Sequence, residues 1–95
     1  MTKDPYKIWL SEVMLQQTKV KTVLPYYNNW INRFPTLESV SLSNFDSLIK
    51  LWEGLGYYKR CSNFHKATKF IVSDFSSKIP KDKNQFLSLP GVGDY

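Results

Sequence analysis

Asp4-Pro-Tyr-Lys-Ile-Trp-Leu-Ser-Glu-Val-Met-Leu-Gln-Gln-Thr18 decides the fold class of this 95-residue chain. An aspartate followed at once by a proline is a helix start. The carboxylate accepts from a free N–H of the first turn, and the proline ring fits the first helical position. The stretch predicts a helix from Pro5 to about Gln17. Projected at about 100° per residue, Lys7 and Ser11 fall together and define its wet face. Glu12 lies well round from them, beside Ile8, Trp9 and Leu15, with Gln16 one turn on. A carboxyl among apolar neighbours prefers its neutral form, so its pKa is expected to rise. A raised pKa suits a general acid near neutral pH. With the amides of Gln16 and Gln17 and the hydroxyl of Thr18 beside it, such an acid suits a polar, aromatic-like substrate such as a nucleobase. A second reading stays open on geometry alone: Glu12 caps a neighbouring helix or pairs with a buried arginine.

Working outward, the rest of the chain also reads as helices joined by short turns. Val20 to Phe34 is amphipathic, contains Pro25 and is closed by Pro35, so a kink or a late start is expected. Short helices are predicted at Thr36–Ser41 and Ser43–Trp52. Ser43 or Asn44 caps the latter, and Phe45, Leu48, Ile49 and Leu51 face the core. Tyr58 to Phe75 places Phe64, Ala67, Ile71 and Phe75 at three-to-four spacing. Lys83–Leu89 is a last short helix. No segment alternates with period two, so the chain is expected to be all-α.

Ninety-five residues make one domain at most. Apolar residues at 42% and aromatics at 16% indicate a folded chain rather than a disordered one. No apolar run approaches the roughly 18–20 residues of a membrane span, and the N-terminal residues lack the apolar core of a signal peptide. A cytoplasmic, nucleoid-associated, monomeric protein is expected. The single cysteine, Cys61, cannot form an internal disulfide or hold a metal or cluster alone. A net charge of +5 favours a polyanionic partner. Lys59, Arg60, Lys66 and Lys69 form a stretch with no acid among them, close to Tyr57 and Tyr58. Cations beside aromatics suit nucleic acid, although a solvated helix face gives the same pattern.

Two glycine motifs remain. Gly54-Leu-Gly-Tyr-Tyr58 sets two aromatics on glycine-freed backbone. An exposed tyrosine there can wedge between base pairs and stabilise a flipped-out nucleotide. Tyr57 is assigned that role, with Leu55 able to reach the same base step, and Tyr58 is assigned to the core. Leu89-Pro-Gly-Val-Gly93 has the form of the hairpin in a helix-hairpin-helix element. There, backbone N–H groups of Pro90-Gly91-Val92-Gly93 at a helix N-terminus bind phosphate and position a duplex without reading sequence. An ordinary helix–helix turn is the alternative. His65 is read as structural. The chain stops directly after this hairpin, and it opens on a capped apolar helix, so it is expected to be a piece of a longer protein.

Taken together, residues 4–18, 51–58 and 89–93 resemble adenine DNA glycosylases of the MutY type, in the helix-hairpin-helix base-excision superfamily. The resemblance implies a truncated six-helix barrel subdomain over residues 1–95, ending inside the hairpin element at 89–93. It implies hydrolysis of the N-glycosidic bond of adenine mispaired with 8-oxoguanine or guanine in double-stranded DNA. By that resemblance Glu12 matches the catalytic acid that protonates adenine N7. Gln17, Thr18, Leu55 and Tyr57 match positions around the 8-oxoguanine, Tyr57 is the wedge, and Gln16 is a neighbour in the same loop. Pro90 to Gly93 match the phosphate-binding hairpin. The family's catalytic aspartate and the four cysteines of its 4Fe-4S cluster would lie beyond Tyr95, leaving no metal or cofactor within the chain, and the isolated piece is expected to be inactive. Two other readings remain: a related glycosylase for oxidised pyrimidine or mismatched thymine, and a non-catalytic DNA-binding module.

Overall fold

The computed structural model describes residues 4–16, 18–87 and 89. They form six helices: α1 (Pro5–Leu15), α2 (Val20–Arg33), α3 (Leu37–Leu42), α4 (Phe45–Trp52), α5 (Tyr58–Asp74) and α6 (Lys83–Leu87). Among the described residues there is no strand, and the chain is all-α.

Local chemistry sets most helix ends. The Asp4 carboxylate accepts from the Tyr6 N–H at 3.0 Å, with Pro5 in the first helical position. At α3, Thr36 and Ser39 each accept from the other's backbone N–H at 3.2 Å, a reciprocal capping box. Asn44 caps α4 by accepting from the Ser47 N–H at 2.9 Å. Pro25 neither delays nor splits α2, which runs unbroken over 14 residues. A proline six residues into a helix removes only the bond to the carbonyl four residues back, and the tertiary packing of α2 tolerates that loss.

Helix α5 is the central element, packing against α1, α3 and α4, while α2 packs on α1 and α4. Trp30, Trp52 and Phe64 meet at the centre, Trp30 standing edge-on to Trp52 at 5.7 Å and to Phe64 at 6.1 Å. Trp9 lies 4.4 Å from Phe64. The polar tips inside this cluster are satisfied. The Trp30 indole N–H donates to the Tyr6 hydroxyl at 2.9 Å, and that hydroxyl donates to the Phe34 carbonyl at 2.7 Å. Burial pushes the Tyr6 pKa well above the ordinary phenol range, so the hydroxyl stays a donor.

Two helices turn differently from their sequence projection. In α4 the buried pair is Leu48 and Trp52, while Phe45 is exposed and Ile49 and Leu51 are partly buried. In α1 the core face is Tyr6, Trp9, Leu10, Val13 and Met14. Lys7 and Ser11, the expected wet face, are half-buried, and the outward face is Ile8, Glu12 and Leu15. Glu12 is therefore exposed beside Ile8 and Leu15, and the burial invoked for it is absent. The projection failed because α1 is apolar nearly all round, leaving no dominant face for three-to-four spacing to reveal.

Candidate functional site

The site grows from two turns. The first follows α1, where the Gln16 N–H bonds to the Val13 carbonyl at 3.4 Å and the Thr18 N–H to that of Leu15 at 3.3 Å. The second joins α4 to α5. Gly54 and Gly56 take φ of +93° and +83°, in the left-handed region that glycine enters freely. A Cβ at Gly54 would also stand 2.5 Å from the Tyr26 hydroxyl oxygen, so the Tyr26 side chain would have to shift. The Trp52 indole N–H donates to the Gly56 carbonyl at 2.9 Å and closes the turn from inside.

Tyr57 continues the left-handed course, at φ 53° and ψ 54°, as the N-cap of α5 without a side-chain cap. Left-handed backbone is costly for a residue with a Cβ and persists where the surroundings impose it. The residue is 58% exposed. Tyr58, assigned to the core from sequence, is 46% exposed instead, its hydroxyl 3.5 Å from the Gly54 N–H. The start of α5 carries both tyrosines outward, and Cys61, Phe64 and Ala67 supply its inward face. Leu55 is turned under, at 6% exposure, while Tyr57 and Tyr58 face solvent.

Arg60 joins the two turns. Its position in a cationic stretch suggested an outward charge, yet it is buried. One guanidinium nitrogen donates to the carbonyls of Val13 at 2.6 Å and Met14 at 3.2 Å, and to that of Gln16. The other reaches the Thr18 hydroxyl at 3.5 Å. Above it lie the rings of Tyr57 and Trp52, with the guanidinium carbon 5.2 and 5.6 Å from their centres. One residue thus satisfies the orphan carbonyls at the end of α1 and borders the exposed tyrosine. Sequence reading missed it, because these contacts span 42 to 47 residues and leave no local pattern. The structure accordingly brings Gln16, Thr18 and Tyr57 together around Arg60, with Leu55 buried in the adjoining turn and Glu12 one helical turn before Gln16. Gln17 and the hairpin Pro90, Gly91, Val92 and Gly93 lie outside the described residues.

Elsewhere, a cavity of about 400 Å³ opens between the start of α1, the start of α3 and residues 77–81, and none of the predicted site residues lines it. His65 is structural, as expected. Its Nε2 lies 3.2 Å from the Ser43 carbonyl, and its ring stacks on Phe45. Among the described residues no cluster of His, Cys, Asp and Glu could hold a metal ion, and no helix is long and apolar enough to cross a membrane.

Residues 10–93 match the family described as HhH-GPD superfamily base excision DNA repair protein, and the chain belongs to that family. Among its relatives are proteins named adenine DNA glycosylase. That of Buchnera aphidicola subsp. Schizaphis graminum is 48% identical over 91 residues, and the human one 38% over 96. The chain covers 26% and 18% of their respective lengths, so it spans about a quarter or less of these relatives. A thermostable thymine-DNA glycosylase superimposes on 96% of the chain with a TM-score of 0.86 at 23% identity. An endonuclease III captured in a covalent DNA complex superimposes on 98% with 0.87 at 18% identity. The chain covers 42% and 44% of those two structures. At such identities the likeness establishes the fold.

Proposed function

We propose that this chain is the part of an adenine DNA glycosylase that carries the proton donor and the duplex wedge. The observation that carries the reading is the glycine-flanked left-handed turn presenting Tyr57 to solvent, joined through Arg60 to the helix that bears Glu12. An exposed aromatic on strained backbone fits insertion into a base stack, and a carboxyl one turn from the linked helix end fits a base swung out of that stack. Relatives at 38–48% identity carry the name adenine DNA glycosylase, which favours adenine over thymine or oxidised pyrimidine. The partner in this reading is double-stranded DNA holding adenine opposite 8-oxoguanine or guanine. Gln16, Gln17 and Thr18 shape the surface around the opposing base, with Leu55 buried beneath the turn that carries Tyr57, and Pro90 to Gly93 hold backbone phosphate.

In the reaction Glu12 donates its proton to adenine N7. The base then leaves with the electrons of the glycosidic bond, and water completes the hydrolysis. Ile8 and Leu15 flank Glu12 and are 40% and 36% exposed, an apolar rim that a flipped base and its surroundings would cover. Covering that rim excludes water from the contact between carboxyl and base. The 4Fe-4S cluster common in this family takes four cysteine thiolates. Cys61 does not fit such a set: it stands alone and buried, its thiol pushed up to about 12 by burial. A cluster in the whole protein would draw its ligands from elsewhere.

The test is Glu12→Gln in the full-length protein. Single-turnover excision of adenine opposite 8-oxoguanine is expected to fall by the ~10²–10⁴-fold of a lost general acid, with duplex affinity retained. A rate near wild type would refute the assignment.

A further inference from the structure

We propose that Arg60 is a positioning residue for lesion recognition, its guanidinium locking the Tyr57 turn to the end of α1 so that wedge and polar turn meet the duplex as one unit. The inference rests on the functional reading above and names what makes its two surface elements act together. Three features carry it. First, one guanidinium nitrogen donates to the carbonyls of Val13, Met14 and Gln16 while the second reaches the Thr18 hydroxyl. A lysine ammonium keeps the charge and the donors for the carbonyls, but lacks the second nitrogen and the planar face that lies against Tyr57. Second, the same group lies over the Tyr57 ring at 5.2 Å while the residue stays 58% exposed. Third, Tyr57 stands on left-handed backbone as the N-cap of α5, and Arg60, three residues on, ties that position to the end of α1. A wedge held in its bound orientation before contact loses less freedom on insertion.

The experiment uses the full-length protein as wild type, Arg60→Lys, Tyr57→Ala and the double variant. Each is melted, and each is titrated with a duplex bearing adenine opposite 8-oxoguanine and with its undamaged counterpart, at a temperature where all are folded. Arg60→Lys is expected to lose about tenfold in the ratio of the two affinities, close to the value of one base–aromatic stack. In the Tyr57→Ala background the same change should cost less than about twofold, because the two residues act through one contact. A lowered melting temperature with unchanged lesion preference in Arg60→Lys would make the arginine merely structural and overturn the proposal, as would losses that multiply in the double variant. Wild-type protein that fails to distinguish the duplexes would overturn the functional reading itself. Hydrogen exchange on the wild type needs no variant to fold. Amides at 16–18 and 57–60 should open at one common rate and be protected together by the lesion duplex, and unrelated opening rates would refute the coupling.

Discussion

Tyr57 and Tyr58 are adjacent in sequence and nearly alike in exposure, yet their backbones differ. Tyr57 is left-handed and caps α5, whereas Tyr58 is its first helical residue. Only Tyr57 lies against Arg60, and the Tyr58 hydroxyl instead turns back toward Gly54. Tyr57→Ala is therefore expected to weaken binding to a lesion duplex by the roughly 1–3 kcal/mol of one base–aromatic stack, while sparing undamaged DNA. Tyr58→Ala, which empties no core site, should change folding stability by no more than about 0.5 kcal/mol. Paired titration and thermal melting check both, and an early-melting Tyr58→Ala would contradict its exposure. The sequence distinguished these roles in part. Glycines on either side of Leu55 announced a turn and an exposed aromatic, but which tyrosine faced out depended on how α5 docks. Glu12 was legible as the lone acid of α1 and illegible in its exposure, because Ile8 and Leu15 on the outward face look like core residues until the packing is known.

At the scale of the helix, existence was legible and orientation less so. Asp4-Pro5, Thr36 with Ser39, and Asn44 are local signals, and each forms the cap its chemistry allows. Pro25 does not delay the start of α2, which begins at Val20. Helix α5 also ties α3 and α4 together through His65, whose Nε2 lies by the Ser43 carbonyl while its ring stacks on Phe45. Burial, and next the charge of Lys69, hold the His65 pKa below its ordinary value, and the Ser43 contact opposes them only in part. The folded state thus favours neutral histidine, while the unfolded chain takes up its proton near pH 6.5. The stability His65 contributes is complete above about pH 6.5 and is lost as pH falls from there toward the depressed folded value. Denaturant midpoints measured at pH 7.5 and 5.5 should decline for wild type more than for His65→Gln. An equal decline would place the acid sensitivity elsewhere.

Over the whole molecule, charge and core are separated. Lys59, Lys66 and Lys69 remain exposed along α5 while Arg60 turns inward, so one cation of the stretch serves the fold and three remain at the surface. If those three meet phosphate, duplex affinity should fall steeply with salt, and neutralising Lys66 should reduce the slope of log K against log salt by about one. Titration of undamaged duplex across salt concentrations measures it, and an unchanged slope would remove α5 from the DNA-facing surface. That division of labour was hidden in the sequence, where four neighbouring cations look equivalent and only contacts across 42 to 47 residues separate them. The long reach of Arg60 also governs how the protein is made. When α1 leaves the ribosome, the carbonyls at its C-terminal end have only water and their own turn for partners. Their guanidinium is added more than forty residues later, several seconds at roughly 5–20 residues per second. For that interval the nascent chain holds Glu12, Gln16 and Thr18 with nothing to organise them, and a ribosome stalled before residue 60 would carry the sequence of half the site and none of its shape.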